Sequence, residues 1–358
     1  MKDSLSVRRK SLLHDYSVPS FAKVCDGIVP SKRLMLARLP TPIEPLPLPE
    51  MPQDVALDVK RDDQTGGIEL MGNKVRKLEF LLSEALQNDS DVVFTAGGTQ
   101  SNHARATVAA CAKLSMPVQV FLRKDESDYN GNFFLNRLLG ATVHEFSQEE
   151  WKSLPASSPD WLEDRANVLR SQGTRVTVIP VGGSNAIGTW GYIEQVNELA
   201  QQFALNGSYQ SVVACSGSGG TLSGLGLGVH LYSLANVTCK VPKVVSYSVC
   251  DTPDWFYEKV NKVTKQIFST CPDARALVSV RDARGEGYAK STTEELQFIA
   301  RVARETGVVF DTCYTGKTVF GMWKEMKQGS YSGQKVLFVH TGGGPSLFDK
   351  VDRFHSAI

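Results

Sequence analysis

The stretch GNKVRKLEFL, residues 72–81, begins a helical pattern, because apolar side chains recur from it at helical spacing. Asn73 is a suitable N-cap, so Lys74 falls in the first turn, where a positive side chain meets the positive end of the helix dipole. Arg76 and Lys77 add like charge nearby. Such crowding lowers the pKa of an ammonium group and makes a neutral, nucleophilic amine easier to reach. The stretch therefore has two interpretations, a reactive lysine or a solvated, basic helix start.

Length and composition favour a globular enzyme of two lobes that acts on a small molecule. The 358 residues are long for a single core. Apolar residues make up 42% and charged residues 22%, as in ordinary globular enzymes. The formal net charge of +1 gives no electrostatic reason to expect nucleic acid or a membrane surface as partner. No apolar run approaches the roughly 20 residues that span a bilayer.

Cysteine and histidine spacing argues against a disulfide scaffold and against a metal site. The seven cysteines are scattered singly without a Cys-x-x-Cys pair, which indicates reduced thiols inside a cell. The six histidines form no His-x-x-x-His pair, so no metal is expected. Near the N-terminus, Arg8, Arg9 and Lys10 could be the remains of a targeting segment, but acidic residues at positions 3, 15 and 26 interrupt that segment. This leaves import into a mitochondrion or plastid open beside a cytoplasmic location.

Strand and helix patterns alternate along the chain after a proline-rich arm at residues 40–52. Such alternation is typical of an α/β protein whose parallel sheets carry helices on both faces. About nine strands favour two lobes, each with an open, mostly parallel sheet. Strands are predicted at residues 55–60, 92–95, 118–122, 142–146, 176–181, 211–215, 244–249, 308–310 and 336–340. After the helix that carries Lys74, helices are predicted at about residues 104–114, 133–139, 190–203, 255–268, 294–305, 319–326 and 347–354.

Glycine and polar clusters follow four of the predicted strands. They cover residues 96–103, 182–185, 216–221 and 341–344. In folds of this kind, ligands bind outside the carboxyl ends of the strands. Four strand ends with the same chemistry therefore predict one shared site.

The loop Gly217–Thr221 follows a predicted strand and opens a predicted helix, so its backbone N–H groups suit an anion such as a phosphate. A dinucleotide fingerprint is excluded, because Leu222 stands at the third glycine position and residues 237–241 offer no acid. A Walker A loop is excluded, because Asp311 stands where its first glycine would be. The alternative is a plain tight turn.

A lysine amine and a phosphate cradle are together the anchors that pyridoxal 5′-phosphate requires. The amine captures the aldehyde as a Schiff base, and the backbone holds the anionic group. The ring nitrogen also needs a partner. An aspartate there would keep the nitrogen protonated, whereas a hydroxyl would leave it largely unprotonated.

Five segments together resemble the family of D-cysteine desulfhydrases and 1-aminocyclopropane-1-carboxylate deaminases. This family belongs to the tryptophan-synthase-β-like group of pyridoxal-phosphate enzymes. The segments occur in matching order over about residues 35–350. They are GNKVRKLE at 72–79, GGTQSNH at 97–103, GSGGT at 217–221, YTGK at 314–317 and HTGG at 340–343. The resemblance implies pyridoxal 5′-phosphate as cofactor and the fold called type II among these enzymes.

The resemblance also implies roles for individual residues. Lys74 matches the lysine that forms the Schiff base. The residues alone leave open whether Lys74 or Lys77 has this role. Ser101, Tyr288 and Tyr314 join Lys74 as candidate catalytic residues, although a buried tyrosine more often has one satisfied hydroxyl and no chemistry. The cofactor contacts implied are Gly217, Ser218, Gly219, Gly220 and Thr221 at the phosphate, Asn102 at the phenolic oxygen, Thr341 at the ring nitrogen and Tyr314 against the ring. The substrate contacts implied are Gln100, Ser101, Asn102, His103 and Tyr288.

Two positions favour the desulfhydrase branch of that family. Cyclopropane deaminases resemble Tyr-Glu-Gly-Lys where this chain has residues 314–317, and they carry glutamine where it has His103. Because this chain has Thr315 in place of that glutamate, it lacks an acidic group near the ring nitrogen of the cofactor. This argues against opening of the cyclopropane ring. The expected reaction is the conversion of D-cysteine to pyruvate, hydrogen sulfide and ammonia. Lys74 would remove the α-proton, and Tyr288 or Tyr314 would be the acid.

Several alternatives stay open at this point. The chain could deaminate 1-aminocyclopropane-1-carboxylate, or be a racemase or dehydratase of the same fold. The non-enzyme alternatives are a small-molecule-binding protein and a scaffold that acts through partners. The resemblance further implies a small domain of residues 77–188 inserted into a large cofactor-binding domain of residues 1–76 and 189–358, and a homodimer.

Overall fold

The computed structural model describes residues 11–124, 129–154 and 161–355. The strands are β1 Leu13–Asp15, β2 Lys32–Leu34, β3 Ile43–Pro45, β4 Ala56–Lys60, β5 Val92–Gly98, β6 Val118–Arg123, β7 Thr142–Phe146, β8 Val176–Ile179, β9 Ser211–Ser216, β10 Lys243–Ser248, β11 Ser279–Asp282 and β12 Lys335–Val339. The helices are α1 Lys74–Gln87, α2 Asn102–Lys113, α3 Gly131–Leu138, α4 Gln148–Ser153, α5 Trp161–Ser171, α6 Ala186–Asn206, α7 Gly220–Ala235, α8 Pro253–Thr264, α9 Ala274–Leu277, α10 Thr293–Thr306, α11 Thr315–Lys327 and α12 Val351–His355. Short 3₁₀ helices lie at Ser20–Ala22, Asp62–Gln64, Val181–Gly183 and Gly344–Lys350.

The smaller of the two main sheets has four parallel strands in the order β7-β6-β5-β8. Its central strand β5 is buried along nearly its whole length. A strand that is covered on both faces needs an unbroken run of apolar or small residues, which is what the sequence VVFTAGG supplies.

The larger sheet has six strands in the order β11-β10-β9-β12-β4-β3. All neighbours run parallel except β3 and β4, which pair antiparallel at one edge. Strand β3 comes from the proline-rich arm and ends at Pro45, and an edge is where a sheet tolerates a residue without an N–H. The prediction of an α/β protein with two mostly parallel sheets is confirmed.

The predicted strand at residues 308–310 is wrong. The segment packs next to strand β12, which already pairs with β9 on one side and with β4 on the other. The segment instead packs Phe310 against Phe338 and His340, with ring centroids 5.7 and 4.8 Å apart. An apolar run predicts burial, and here burial comes from packing onto the side chains of the sheet rather than from pairing within it.

Helix α5 was not predicted, and the helix predicted at about residues 347–354 is a 3₁₀ helix at Gly344–Lys350 followed by the short helix α12. Short strands account for further differences. Strand β11 has one buried apolar side chain, Val280, and gives almost no periodic signal in the sequence. The strand predicted to run to Val181 ends at Ile179, because Pro180 interrupts the pairing.

The two sheets come from separate stretches of chain. The four-stranded sheet uses residues 92–179, and the six-stranded sheet uses residues 43–60 and 211–339. The predicted domain limits, after residue 76 and after residue 188, fall inside helices α1 and α6. The domain division stays a prediction. In the described residues, no helix is both long and apolar enough to cross a membrane.

Candidate active site

A cavity of about 420 Å³ lies where the carboxyl ends of β5, β9 and β12 come together with the start of α1. All four glycine and polar clusters contribute to its wall. Of the predicted site residues, the wall includes Lys74, Ser101, Asn102, His103, Gly217, Ser218, Gly219, Thr221, Tyr288, Tyr314 and Thr341.

Two predicted residues, Gln100 and Gly220, lie outside that wall. The side chain of Gln100 accepts a hydrogen bond from the Asn132 N–H at 2.9 Å and donates to the Asn130 carbonyl at 3.1 Å. It lines a second, adjoining cavity. Gly220 belongs to the loop Gly217–Thr221, called the glycine loop below, and its N–H donates to Ser184 Oγ at 3.2 Å. Their roles stay predictions.

Lys74 is the first residue of α1, and its half-buried side chain reaches the cavity. Within the described part of the chain, no hydrogen bond or ion pair to its amine occurs. Burial lowers its pKa to about 8, and the nearby Cys215 acts weakly in the opposite direction. The sequence attributed a lowered pKa to crowding by Arg76 and Lys77. The structure attributes it to loss of water, because the charge on Arg76 is neutralised by carboxylates.

Lys77 lies three residues further along α1, on the same face as Lys74 and fully buried. Its amine donates to the Gly182 carbonyl at 3.2 Å and to Ser184 Oγ at 3.3 Å. It lies 2.9 Å from the point that a Cβ atom on Gly220 would occupy. Burial and then the charge of Lys74 lower its pKa well below the ordinary value. Sequence reasoning weighed Lys77 only as a rival to Lys74 and missed this position behind the glycine loop.

The glycine loop delivers the N-terminus of α7 to the cavity wall. Gly219 adopts a left-handed conformation with φ of 82°, and the helix begins at the next residue. The first N–H groups of a helix have no partner within the helix, and together with the helix dipole they attract an anion. Asn73 donates its side-chain amide to Thr221 Oγ1 at 3.0 Å, so the helix start that carries Lys74 is tied to this loop. Asn73 therefore occupies the N-cap position without capping α1 through its side chain.

Ser101 and Asn102 form the start of α2. Ser101 Oγ accepts from the Ala104 N–H at 3.1 Å, which makes Ser101 the N-cap. Asn102 Oδ1 accepts from the Asn132 side chain at 2.9 Å, which holds the amide at the cavity wall. A second helix N-terminus thus faces the cavity from the four-stranded sheet, which suits a carboxylate.

His103 is 3% exposed and takes a defined tautomer. The hydroxyl of Thr95 donates to the Ile179 carbonyl at 2.9 Å, so it accepts from His103 Nε2–H at 3.0 Å. Burial, with the charges of Lys74 and Lys77, lowers the imidazole pKa well below its ordinary value. The ring is therefore neutral, and its Nδ1 atom has no hydrogen-bond partner in the described structure. The predicted contact of His103 with a substrate carboxylate, which stays a prediction, would have to use its backbone N–H.

Tyr288 and Tyr314 meet at the opposite side of the cavity. Their hydroxyls are 2.8 Å apart, and their rings are inclined at 70°. Burial, reinforced by Tyr288, raises the pKa of Tyr314 well above its ordinary value, so the Tyr314 hydroxyl stays protonated. The guanidinium of Arg123 lies 5.9 Å from the Tyr288 ring centroid and also lines the cavity. Sequence reasoning missed Arg123, whose only signal is its place at the end of a strand next to the loop at Gly98.

Thr341 contacts a thiol that sequence reasoning also missed. Its Oγ1 atom is 3.0 Å from Cys215 Sγ, at the end of β9. Burial raises the pKa of Cys215 to about 11, so the thiol is neutral and inert as a nucleophile.

Together these groups suit a small aromatic aldehyde that carries a phosphate. Among the described residues the amine of Lys74 has no hydrogen-bond partner, and its pKa is lowered, as a nucleophile toward an aldehyde requires. The start of α7 with Lys77 behind it suits a phosphate, and the Thr341 hydroxyl suits an uncharged ring nitrogen. The residues fit pyridoxal 5′-phosphate.

Comparison with known proteins agrees with this chemistry. The family described as "Pyridoxal-phosphate dependent enzyme" matches residues 34–342. The chain is 41% identical over 355 residues to the bifunctional D-cysteine desulfhydrase/1-aminocyclopropane-1-carboxylate deaminase, mitochondrial, of Arabidopsis thaliana, a match covering 96% of this chain and 86% of the relative.

Solved structures show the same architecture. A 1-aminocyclopropane-1-carboxylate deaminase homologue superposes with a TM-score of 0.79 at 30% identity, over 96% of this chain and 100% of its own. A hydrogen sulfide-producing enzyme from Fusobacterium nucleatum superposes with a TM-score of 0.60 at 15% identity, over 85% of this chain and 96% of its own. The second likeness bears on the fold alone.

Proposed function

Because this chain belongs to the family of pyridoxal-phosphate-dependent enzymes, we propose that it converts D-cysteine to pyruvate, hydrogen sulfide and ammonia. The observation that carries the proposal is the unpartnered, partly buried amine of Lys74 facing an anion-binding helix start. The choice of substrate is supported by the Arabidopsis relative, whose name includes D-cysteine desulfhydrase and which matches 96% of the chain.

The cofactor would be held at three places. Lys74 would bind its aldehyde, the loop Gly217–Thr221 and Lys77 would bind its phosphate, and Thr341 would donate a hydrogen bond to its ring nitrogen. When bound, pyridoxal phosphate supplies an electron sink that stabilises negative charge at the substrate α-carbon.

The residues of the chain would supply binding and proton transfer. The start of α2 at Ser101 and Asn102 would bind the substrate carboxylate through backbone N–H groups. Lys74 would accept the α-proton of the substrate, because an amine with pKa of about 8 is an effective base near neutral pH. The Tyr288–Tyr314 pair would donate a proton to the departing sulfur. Overall, D-cysteine and water give pyruvate, hydrogen sulfide and ammonia.

The test is a visible spectrum of the purified protein before and after D-cysteine, with sulfide and pyruvate assayed in the same tube. We expect a yellow protein whose band changes as both products appear, and no products from L-cysteine. A yellow protein that releases no sulfide would redirect the proposal to racemisation or dehydration. A colourless protein that pyridoxal phosphate cannot turn yellow would refute it.

A second candidate activity is deamination of 1-aminocyclopropane-1-carboxylate, which is favoured by the bifunctional name of the relative. Against it, Thr315 is buried, and its hydroxyl is bound to Asp311 rather than exposed to the cavity. We expect 2-oxobutyrate to form slowly or not at all from this compound. A rate equal to that with D-cysteine would make the chain bifunctional.

We also propose that the large domain comprises residues 1–76 and 189–358 and that the small domain comprises residues 77–188. Two copies would form a homodimer inside the cell. The relative is named as mitochondrial, whereas Arg8, Arg9 and Lys10 lie outside the described residues. Light scattering on the eluted protein would test the dimer, and a fluorescent fusion would test the compartment.

A further inference from the structure

Asp311 is a fully buried carboxylate beside the cavity that the proposed mechanism does not use. It lies between the segment at residues 308–310 and helix α11. Four hydrogen bonds end on it. Its Oδ2 atom accepts from the N–H groups of Cys313 at 2.9 Å and Tyr314 at 2.8 Å, and its Oδ1 atom accepts from the Thr315 N–H at 2.7 Å and hydroxyl at 2.5 Å. All are accepted bonds, as expected of an ionised carboxylate.

These bonds fix the one turn of chain that carries Tyr314. Three successive N–H groups point to one carboxylate, so the backbone at residues 313–315 has little freedom to rotate. The Tyr314 ring then lies so close to Gly217 that a Cβ there would be 2.6 Å from Cε1. Only glycine permits this approach, and it leaves the Tyr314 hydroxyl 2.8 Å from Tyr288.

Asp311 also contacts the loop that follows Thr341. Gly343 has φ of 115°, and a Cβ on it would lie 2.6 Å from both Cβ and Cγ of Asp311. The carboxylate therefore lies between the turn that carries Tyr314 and the loop that carries Thr341, two residues on the cavity wall. Asp311 itself does not line the cavity.

Thr315 forms two hydrogen bonds with Asp311 through its hydroxyl. Its hydroxyl donates to Asp311 Oδ1 and accepts from the Asp311 N–H at 3.0 Å. Thr315 is thus turned toward Asp311 and away from the cavity, while its neighbour Tyr314 lines the cavity. The carboxylate determines which of the two side chains faces the ligand.

We propose that Asp311 is a positioning residue for the reaction, acting through Tyr314. It holds the turn at residues 313–315 so that the Tyr314 ring stays against Gly217 and its hydroxyl stays bonded to Tyr288. The inference rests on the proposed function, in which that pair donates a proton to the departing group.

The test is a double-mutant cycle on the holoenzyme with Asp311→Asn and Tyr314→Phe. In Asp311→Asn, one carboxylate oxygen becomes an NH₂ group that cannot accept from the backbone N–H groups, so the turn relaxes. We expect kcat to fall about 10- to 100-fold, since a displacement near 1 Å has effects of that size, while KM changes less. Tyr314→Phe on its own removes the hydroxyl that Asp311 positions. The double variant should therefore be no slower than the slower single variant.

A readout without substrate separates this inference from the proposed function. The visible band of the holoenzyme should shift in Asp311→Asn as it does in Tyr314→Phe. Asp273→Asn is the control, because Asp273 caps α9 through the Arg275 N–H far from the cavity, and it should leave both band and kcat unchanged. If the wild type makes no sulfide but the bands shift together, the proposed function fails and the positioning role stands.

Two results would overturn the positioning role. One is an Asp311→Asn enzyme with normal kcat and only a lowered melting temperature. The other is a double variant whose loss is the product of the two single losses. If Asp311→Asn does not fold, Thr315→Val takes its place, since it removes one of the four bonds and keeps the three to N–H groups. A loss of about threefold that is absent in the Tyr314→Phe background is expected, and no loss, or the same loss in both backgrounds, would overturn the role.

Discussion

Helix α1 begins with two polar residues that meet different surroundings, the buried Arg76 on one face and the half-buried Lys74 on another. The guanidinium of Arg76 forms two bonds to Asp62, at 2.8 and 2.9 Å, and two to Glu198, at 2.9 and 3.1 Å. Tyr192 and Gln195 also donate to Asp62 at 2.8 Å. Lys74, two residues earlier, has no hydrogen-bond partner in the described chain.

The difference teaches how a protein separates support from chemistry within one turn of helix. Burial alone would raise the pKa of Asp62, but Arg76 lowers it, and the pair stays ionised. Burial of Lys74 is offset only weakly, by the nearby Cys215, so its pKa falls to about 8, which favours a reactive amine. The charged group around Asp62 holds the helix start in place, and the unsatisfied amine acts from it.

The largest effect expected is loss of turnover in Lys74→Ala. Removal of the amine removes both the cofactor attachment and the base, so sulfide release should fall at least about 10³-fold. The protein should stay folded, because no hydrogen bond of the Lys74 side chain is lost among the described residues. Sulfide and pyruvate assays with the visible spectrum check this, and Lys113→Ala, at the exposed end of α2, is the control. Full activity in Lys74→Ala would contradict the contrast between a reactive Lys74 and a supporting Arg76.

On the other face, Asp62→Asn should damage stability far more than chemistry. It removes the buried carboxylate that accepts two hydrogen bonds from Arg76 and leaves that guanidinium with Glu198, and the broken buried pair costs about 3–5 kcal/mol of unfolding free energy. Urea unfolding measures this. The exposed carboxylate of Asp91, paired with Arg175 at 2.8 Å, provides the matched control, and Asp91→Asn should barely move the urea midpoint. Equal midpoints for the two variants would show that the Asp62 group does not support the helix.

The lowered pKa of Lys74 predicts a pH dependence of cofactor binding. After the cofactor is removed, the rate at which added pyridoxal phosphate turns the protein yellow should rise with a midpoint near pH 8. A midpoint near 10 would mean that the amine is not desolvated.

The lowered pKa of Lys74 also predicts the direction in which the free energy of unfolding changes with pH. The folded chain gives up the Lys74 proton at about pH 8, and the unfolded chain keeps it to about 10.5. Between these values the unfolded state binds more protons, so the cofactor-free protein gains stability as pH rises, relative to Lys74→Met. Urea titrations of both proteins at pH 7 and pH 10 check the sign.

The smallest effect expected concerns His103, a buried neutral ring of the cavity wall. In Thr95→Val the ring loses the acceptor for its Nε2–H and becomes free to exchange tautomers. We expect kcat/KM to fall about fivefold, because one buried hydrogen bond is worth about 1 kcal/mol. Thr107→Val is the matched control, since its hydroxyl donates to the backbone carbonyl of His103 at 2.9 Å and not to the ring.

Nitrogen chemical shifts of labelled histidine report the tautomer directly. The wild type and Thr107→Val should show the proton on Nε2, and Thr95→Val should show a mixture. An Nδ1–H tautomer in the wild type would contradict the assignment.

Most of the fold could be predicted from the sequence, and the exceptions share a cause. The runs at residues 92–98 and 211–216 are apolar or small throughout, and both became central strands. The run at residues 308–310 has the same local signal, yet strand β12, next to which it packs, already pairs with β9 and β4. Periodicity reports whether a segment is buried, whereas strand pairing depends on which neighbours are already in place.

The features of the site also divide into those that the sequence predicted and those that it did not. The location of the site at the strand ends came from residue types and spacing, and the roles considered for Lys74 and Thr341 were implied by the family resemblance. Arg123, Cys215 and Asp311 carried no such signal, because each comes from a different part of the chain and acquires its contacts only when the sheets assemble. The lowered pKa of Lys74 was anticipated for the wrong reason, since a sequence shows neighbouring charges but not the carboxylates that neutralise them.

The sequence by itself determined an α/β chain with parallel sheets, a glycine-lined site at the strand ends, and pyridoxal phosphate chemistry. These follow from local patterns of apolar, glycine and lysine residues, which act over a few residues of chain. Only the tertiary structure decided which charges are paired, which tautomer His103 takes and which side chain of the Tyr314–Thr315 pair faces the cavity. Burial and hydrogen-bond partners decide these properties, and both come from residues far apart in the chain.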